Sequence, residues 1–282
     1  MDKYKKEKLK SRIAWTLAFL FALIWVCITG LPFLFMVLNS FKEQFEMLQK
    51  GVFQLPDSWY PANFIEVLTK GFLNYFFNSV FVLAISLSIL LFITACASYP
   101  LSRMQFKLRN LIYVLIVACM SVPMHVTLIP VFKMTTKLKV YDTLWSLIGP
   151  NIAFGIPISC FILTTFMSTI PKEIEESAEI DGCGKFKNFF TIILPLSKAG
   201  ISTLAIYNGV GIWNEFSFAN TLTQSKTAKT LPLAISAFQG EHSLNIPVIM
   251  AVLVLTVLPM IIMFIIFQDK LVKGIMAGAV KG

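Results

Sequence analysis

The sequence predicts an all-α polytopic membrane protein with six transmembrane helices, and three observations predict it. The chain of 282 residues is 56% hydrophobic and 14% charged, whereas soluble domains carry about 25% charged residues. Its charges cluster and leave six long uncharged stretches: Arg12 to Lys42, Lys70 to Arg103, Arg109 to Lys133, Asp142 to Lys172, Lys198 to Glu215, and His242 to Asp269. Within these, Leu, Ile, Phe and Val follow one another without strict alternation, which argues against barrel strands. A hydrocarbon core of about 30 Å takes about 20 apolar residues of helix, the form in which a lipid-exposed segment satisfies its own backbone.

The first span reads 13–38, behind a basic segment from Lys3 to Arg12 within a short N-terminal stretch, 1–12. That segment resembles the start of a secretory signal. The apolar run behind it is longer than a signal's, and no small-x-small site ends it, so the span is expected to persist. The second, third and fourth spans read 74–97, 110–132 and 143–168. The fifth reads 197–218, its uncharged stretch cut short by Glu215 but its pattern continuing through Phe218. The sixth reads 246–267, before a tail at 268–282.

Six spans place both termini on one side. That side holds sixteen Lys and Arg against eight in the opposite loops, so the termini are expected in the cytoplasm of a multi-pass cell-membrane protein. The outer loop 133–142 dissents with Lys133, Lys137 and Lys139. The formal charge of +9 is explained by these positive loops and calls for no nucleic acid. Cys27, Cys96, Cys119, Cys160 and Cys183 form no CxxC pair and are expected as free, packed thiols.

Two outer loops exceed what a connection needs, 39–73 and 219–245, and long ordered loops are usually functional. The first, with Leu55-Pro56-Asp57, reads as a short interfacial helix. The second, ending at Asn245-Ile246-Pro247, reads as a contact for a partner.

The most informative segment is the cytoplasmic loop 170–196. Pro171 suits the first position of a helix, and Glu173, Glu175 and Glu176 suit its positive end. Gly182 or Gly184 is the expected stop. A second short helix then sets Phe186, Phe189, Phe190 and Ile193 on one apolar face before Pro195 breaks the chain. An acidic helix, a glycine elbow and an apolar helix fit a groove on another protein. The same residues fit an amphipathic segment lying on the membrane surface, and the pattern alone leaves both readings open.

Polar residues within spans are candidates for function. Asn208, Gly211 and Glu215 are spaced to share a face of the fifth span. At 1.5 Å per residue Asn208 lies about 15 Å above Lys198, near mid-bilayer. Asn151, Gly155 and Ser159 form a second stripe on the fourth. Such amides could line a passage for a polar solute, or the same small residues could pack helices together. Packing is the better account of the fourth-span stripe, and Asn208 is open to both. His125, between Pro123 and Pro130, reads as a packing residue, and Trp213 as an interfacial anchor.

The loop resembles the signature of ABC importer permeases: Glu-Ala-Ala, three residues, Gly, nine residues, Ile-x-Leu-Pro. Here it reads Glu176-Ser177-Ala178, Gly182, then Ile192-Ile193-Leu194-Pro195, with every spacing kept and Ser177 for the first Ala. Asp181, Phe186, the segment Trp213-Asn214-Glu215-Phe216 and the tail from Lys273 to Gly282 are similar to the carbohydrate branch of that family. The likeness runs from about residue 10 to the end.

The resemblance implies a type I ABC importer permease. It would pair with a second permease subunit above two ATP-binding subunits, and an extracellular solute-binding protein would deliver a sugar or oligosaccharide. Glu176, Ser177, Ala178, Asp181, Gly182, Phe186, Leu194 and Pro195 would form the ATPase-coupling loop. Asn208, Gly211, Glu215 and Asn151 are the candidate substrate pathway, and the 219–245 loop would reach the binding protein. No cofactor is expected on this chain, with ATP and Mg on the partner ATPase. A phosphate-cradling GxxxxGK[ST] is missing, since at Gly184-Lys185 a Phe follows and Glu179 stands where the first Gly belongs. Two distant histidines make neither a catalytic triad nor a metal site. The alternatives are a permease for another small polar solute such as an amino acid, or an ion-coupled secondary carrier, for which repeated halves are lacking.

Overall fold

A computed structural model describes residues 2–50, 53–241 and 245–279, with side chains from 12 to 266 apart from 51–52 and 240–244. The described residues form helices and no strands. They fall into two compact units, Met1–Lys70 with Phe238–Leu255, and Gly71–Ala237 with Thr256–Gly282.

In the first unit, α1 (Asp2–Ser40) runs unbroken through Pro32. Its apolar residues are exposed all round, Trp15, Phe21 and Trp25 among them, which suits a helix whose solvent is lipid. The 39–73 loop holds α2 (Gln44–Lys50) and then α3 (Ala62–Val67). The connection is pinned by the buried Asn63, whose Nδ2 donates to Ser40 O at 2.9 Å and Lys42 O at 2.8 Å. Phe41 packs against Trp59 and Phe64, with ring centroids 5.1 and 4.8 Å apart. From α3 the chain enters a π turn, Leu68–Phe72, in which Gly71 has a φ of 96°. Helix therefore begins well before the second span's expected start at 74.

The second unit is built on α4 (Leu73–Arg103), α7 (Trp145–Ser168) and α11 (Lys198–Trp213). They touch through small residues, as membrane helices must when lipid is as apolar as leucine. A Cβ on Gly155 of α7 would stand 2.0 Å from Leu90 Cδ1 and 3.0 Å from Asn208 Oδ1. Ser159, fully buried, accepts from Asn208 Nδ2 at 2.9 Å. The Asn151–Gly155–Ser159 stripe therefore packs helices at its second and third positions.

Among the described residues four helices are long and apolar enough to cross a membrane, Arg12–Ser40, Ala62–Arg103, Trp145–Ser168 and Ile246–Ile266. Two bent pairs bring the number to six when each is counted as one span. The expected straight helix at 110–132 is instead Arg109–Ser121 and Met124–Lys137, meeting at 92°. Pro123 offers no N–H and pushes Val122 into extended backbone, with φ −82° and ψ 113°. The second arm ends in α6 (Leu128–Lys137), and the first contains α5 (Arg109–Ala118). Lys185–Leu196 and Lys198–Trp213 likewise meet at 69°.

The fifth span stops at Trp213 instead of continuing to Phe218, and a short helix, Ser217–Leu222, follows. The last helix, Ile246–Ala279, continues past the expected end of the sixth span. Gly274 and Gly278 thus lie in helical backbone. The side chains of the tail signature, and Val280 to Gly282 altogether, lie outside the described residues.

Candidate functional site

The 170–196 loop folds into α8 (Lys172–Ile180), α9 (Lys185–Asn188), a π turn at Phe189–Ile193 and α10 (Leu194–Leu196). Pro171 caps α8 from outside, with φ −56° and ψ 137°, and does not enter its first turn as expected. Of the two glycines expected as the stop, Gly182 is the one used. Its φ is 79°, its N–H donates to Glu179 O at 3.0 Å, and Cys183 N–H reaches Ala178 O at 2.9 Å. This pair of bonds closes a helix through a left-handed residue, a conformation glycine adopts cheaply. Gly184 is extended and starts α9.

No residue of α8 is buried. Glu176, Ser177, Asp181, Gly182, Phe186 and Pro195 are exposed, while Ala178 and Leu194 are half-buried. Ile180 and Phe186 stand 86% and 80% exposed. The single apolar face expected for the second helix is divided. Phe189 and Ile193 sink into a core with Tyr99, Leu163, Met167 and Leu204, but Phe186 and Phe190 remain outside. The π turn is the reason, because its wider spacing breaks the i, i+3, i+4, i+7 register. It ends at Ile193, one residue short of Pro195, which could not donate the helical bond to Thr191 O.

What roots this exposed element comes from far away in the chain. Arg103, the last residue of α4, has a side chain only 3% exposed. Its Nε donates to the Glu175 carboxylate, and its Nη2 reaches Pro171 O at 3.3 Å. Nearby, Tyr99 OH donates to Lys185 O at 3.4 Å. The first half of α8 and the start of α9 are thereby tied to α4, the Arg103–Glu175 contact spanning 72 positions that no local spacing announces.

At the opposite end of α7 and α11 lies a cavity of about 750 Å³, and all four candidate pathway residues, Asn151, Asn208, Gly211 and Glu215, line it. Their roles differ. Asn208 is 5% exposed, and its Nδ2 is committed to Ser159 Oγ and Leu204 O, each at 2.9 Å. Asn151 donates to Leu147 O at 2.9 Å. Gly211 has nothing within 4 Å of where a Cβ would be, so it opens onto space.

Glu215 corrects the expectation of one shared helix face. With α11 ended at Trp213, its two carboxylate oxygens accept Phe218 N–H at 2.7 Å and Ala219 N–H at 3.0 Å. It thus satisfies amides that open α12 (Ser217–Leu222). Two other expectations also fail. Trp213 is buried against Phe76, at 6.0 Å, and is no interfacial anchor. His125 is exposed on the cavity wall, with Nε2 3.4 Å from Ser217 Oγ. Of the cysteines, all free, only Cys160 is buried, so packing does not describe the exposed Cys27, Cys96 and Cys119.

The first half of the 219–245 loop is stitched down. Asp142, at a φ of 57°, accepts on Oδ1 from Gln224 N–H at 2.6 Å, Ser225 N–H at 2.8 Å and Ser225 Oγ at 3.1 Å. Asn78 Nδ2 holds Thr227 O and Lys229 O, each at 2.8 Å, and Ser79 Oγ accepts Leu231 N–H at 2.8 Å. Desolvation, the largest influence on the Asp142 carboxyl, raises its pKa. The amides of Gln224 and Ser225, the Ser225 hydroxyl and the charge of Lys229 together bring it below the ordinary carboxylate value.

Comparison with known proteins agrees with this architecture. A family model described as the binding-protein-dependent transport system inner membrane component matches residues 90–276. An ABC transporter permease protein of Caldicellulosiruptor is 49% identical over 264 residues, 94% of this chain and 96% of its own. The melibiose/raffinose/stachyose import permease of Bacillus subtilis is 33% identical, with 93% and 95% covered. The trehalose/maltose permease of Thermococcus litoralis is also 33% identical, again with 93% and 95% covered. A solved bacterial ABC transporter that imports alginate shares the fold at a TM-score of 0.79, with 21% identity over 92% of this chain and 96% of that one. With a membrane-crossing helical core, an exposed loop in the matched region and relatives along nearly its whole length, this chain belongs to the family of binding-protein-dependent transport system inner membrane components, the permeases of ABC importers.

Proposed function

We propose that this permease passes a sugar or oligosaccharide, pairing with a second permease of different sequence above two ATP-binding subunits. An extracellular solute-binding protein delivers the substrate, and both termini face the cytoplasm. ATP and Mg are bound by the partner ATPase and no cofactor by this chain. The observation that carries the reading is α8. None of its residues is buried, yet it is rooted by Arg103 on a membrane-crossing helix, as a lever needs and a surface-lying amphipathic segment does not. Glu176, Ser177, Ala178, Asp181, Gly182 and Phe186 would meet the ATPase, with Leu194 and Pro195 joining them to the fifth span.

The cavity supports a carbohydrate. A volume of about 750 Å³ lies within the range of small-molecule sites, roughly 300–1,000 Å³. Its wall offers the amides of Asn151, Asn208 and Asn214, the hydroxyls of Thr203 and Ser217, and the rings of Phe154, Tyr207 and Phe216. Amides match sugar hydroxyls and rings match the apolar faces of pyranoses, and among the described residues no group of His, Cys, Asp and Glu is set to hold a metal ion. The relatives named for melibiose, trehalose and maltose point to the same class. Gln224, Lys226 and Thr227, exposed beyond the Asp142 clamp, are the outer surface offered to the binding protein.

Vesicles containing the assembled transporter test the reading. Labelled oligosaccharide should accumulate only with ATP on the ATPase side and binding protein on the other. Uptake driven by an ion gradient without ATP, or of amino acids alone, would overturn it.

A further inference from the structure

A second cavity, of about 260 Å³, lies where α4 ends and α5 begins, against the last turns of α7. Six polar side chains line it: Arg109, Asn110, Tyr113, Thr164, Thr165 and Ser168. We propose that it binds a phosphate group bearing a hydroxylated substituent, either a phospholipid headgroup or a soluble polyol phosphate.

Arg109 is half-buried, and its Nε donates to Leu101 O at 2.7 Å, which fixes the guanidinium plane. No carboxylate pairs with it among the described residues. A guanidinium oriented by its own backbone and without a counter-charge presents its remaining N–H groups as a fork, the geometry that matches phosphate oxygens. Thr164 also borders the cavity, at 7% exposed, with its Oγ1 sealed from the space.

The other groups divide by what they can still offer. Asn110 Nδ2 and Tyr113 OH are further donors. Thr165 Oγ1 and Ser168 Oγ have given their protons to Phe161 O at 2.8 Å and Thr165 O at 2.7 Å. They keep only lone pairs, so they suit the hydroxyls of a substituent and not the anion itself. The donors suit the anion and the acceptors suit its substituent. No carboxylate lines the cavity to repel that anion.

The test uses the assembled transporter, free of nucleotide and stripped of lipid in an uncharged detergent. It is equilibrated with labelled dihexanoyl phosphatidylglycerol or with labelled glycerol 1-phosphate. The parent should bind one molecule per copy of this chain. Arg109→Gln should weaken binding at least tenfold, and Tyr113→Phe, which removes one donor, at least threefold, with unchanged subunit assembly. At least tenfold tighter binding of the lipid identifies the membrane as the source, and equal binding identifies a soluble phosphate. Binding of neither probe, or binding by both variants that equals the parent's, would overturn the assignment.

Discussion

Arg103 and Glu175 join the end of one membrane-crossing helix to the exposed acidic helix of the 170–196 loop, through an ion pair whose side chains are only 3% and 15% exposed. The same guanidinium holds Pro171 O at 3.3 Å. Movement imposed on α8 must therefore drag α4 with it, in addition to α7 and α11, to which the loop is connected by chain. Four hydrophobic residues of the core beneath, Tyr99, Met167, Phe189 and Ile193, make that joint stiff.

Breaking the pair should uncouple the transporter. Removing one partner of a buried ion pair costs roughly 3–5 kcal/mol, because the other charge is left without its counter-charge. Arg103→Gln should lower uptake at least tenfold while unstimulated ATP hydrolysis persists. Exchanging the two charges, as Arg103→Glu with Glu175→Arg, should recover part of it. Uptake and hydrolysis measured on the same preparations check both, and a double variant no better than the single would sink the claim.

Gly182 separates backbone from space. A Cβ there meets nothing within 4 Å, but the φ is 79°. A β-branched residue in left-handed backbone costs about 1–2 kcal/mol, whereas Asn tolerates it. Gly182→Val should leave the protein in the membrane with uptake lost, and Gly182→Asn should transport nearly as the parent. Immunoblots of membranes beside uptake assays decide this, and similar transport by both variants would contradict it.

The cavity wall allows a contrast between two glycines. Gly155→Ala places a methyl 2.0 Å from Leu90 Cδ1, so the fully buried Leu90 side chain must move and membrane abundance should fall several-fold. Leu90→Ala in the same chain should restore it. Gly211→Leu meets open space instead. It should assemble normally and reduce transport at least fivefold by occupying the cavity. Quantitative membrane blots and uptake, measured together, distinguish a packing position from a passage position.

The Asp142 clamp should be sensitive to acid. Its carboxyl is held below the ordinary carboxylate value in the folded protein. Its contribution is therefore complete above the unfolded value of about 3.9 and is lost as pH falls through the folded one. Proteolysis within 223–230 should accelerate at that acid edge. Asp142→Asn keeps a residue at ease at the φ of 57° but removes the charge, so cleavage should be faster at neutral pH and no longer depend on pH there.

Hydropathy made the spans legible because lipid imposes one rule on every residue of a crossing helix. The glycine elbow was legible because its closing bonds are local. Less visible was whatever depends on distant partners. The bend after Ser121 was foreshadowed by Pro123, yet the apolar run continued across it and hid the break. Glu215 is spaced to share the Asn208 face, but α11 ends first, and the amides of Phe218 and Ala219 claim its oxygens. Tertiary contact likewise decided Trp213, which spacing placed at an interface and Phe76 holds inside. Arg103 read only as one more positive charge in a loop. Asn208 proved to serve the helix contact through its Nδ2 while still lining the cavity, so the two readings of it were not exclusive.

The central claim is that α8 engages the ATPase and does not lie on the membrane. Cross-linking from Ser177, exposed and with its hydroxyl donating to Glu173 O at 2.8 Å, tests it most directly. In the assembled transporter, with the five native cysteines replaced, Ser177→Cys should cross-link to an ATP-binding subunit, and its yield should change when ATP is added. A cysteine there that reacts with a lipid-phase reagent and never with the ATP-binding subunit would contradict the account.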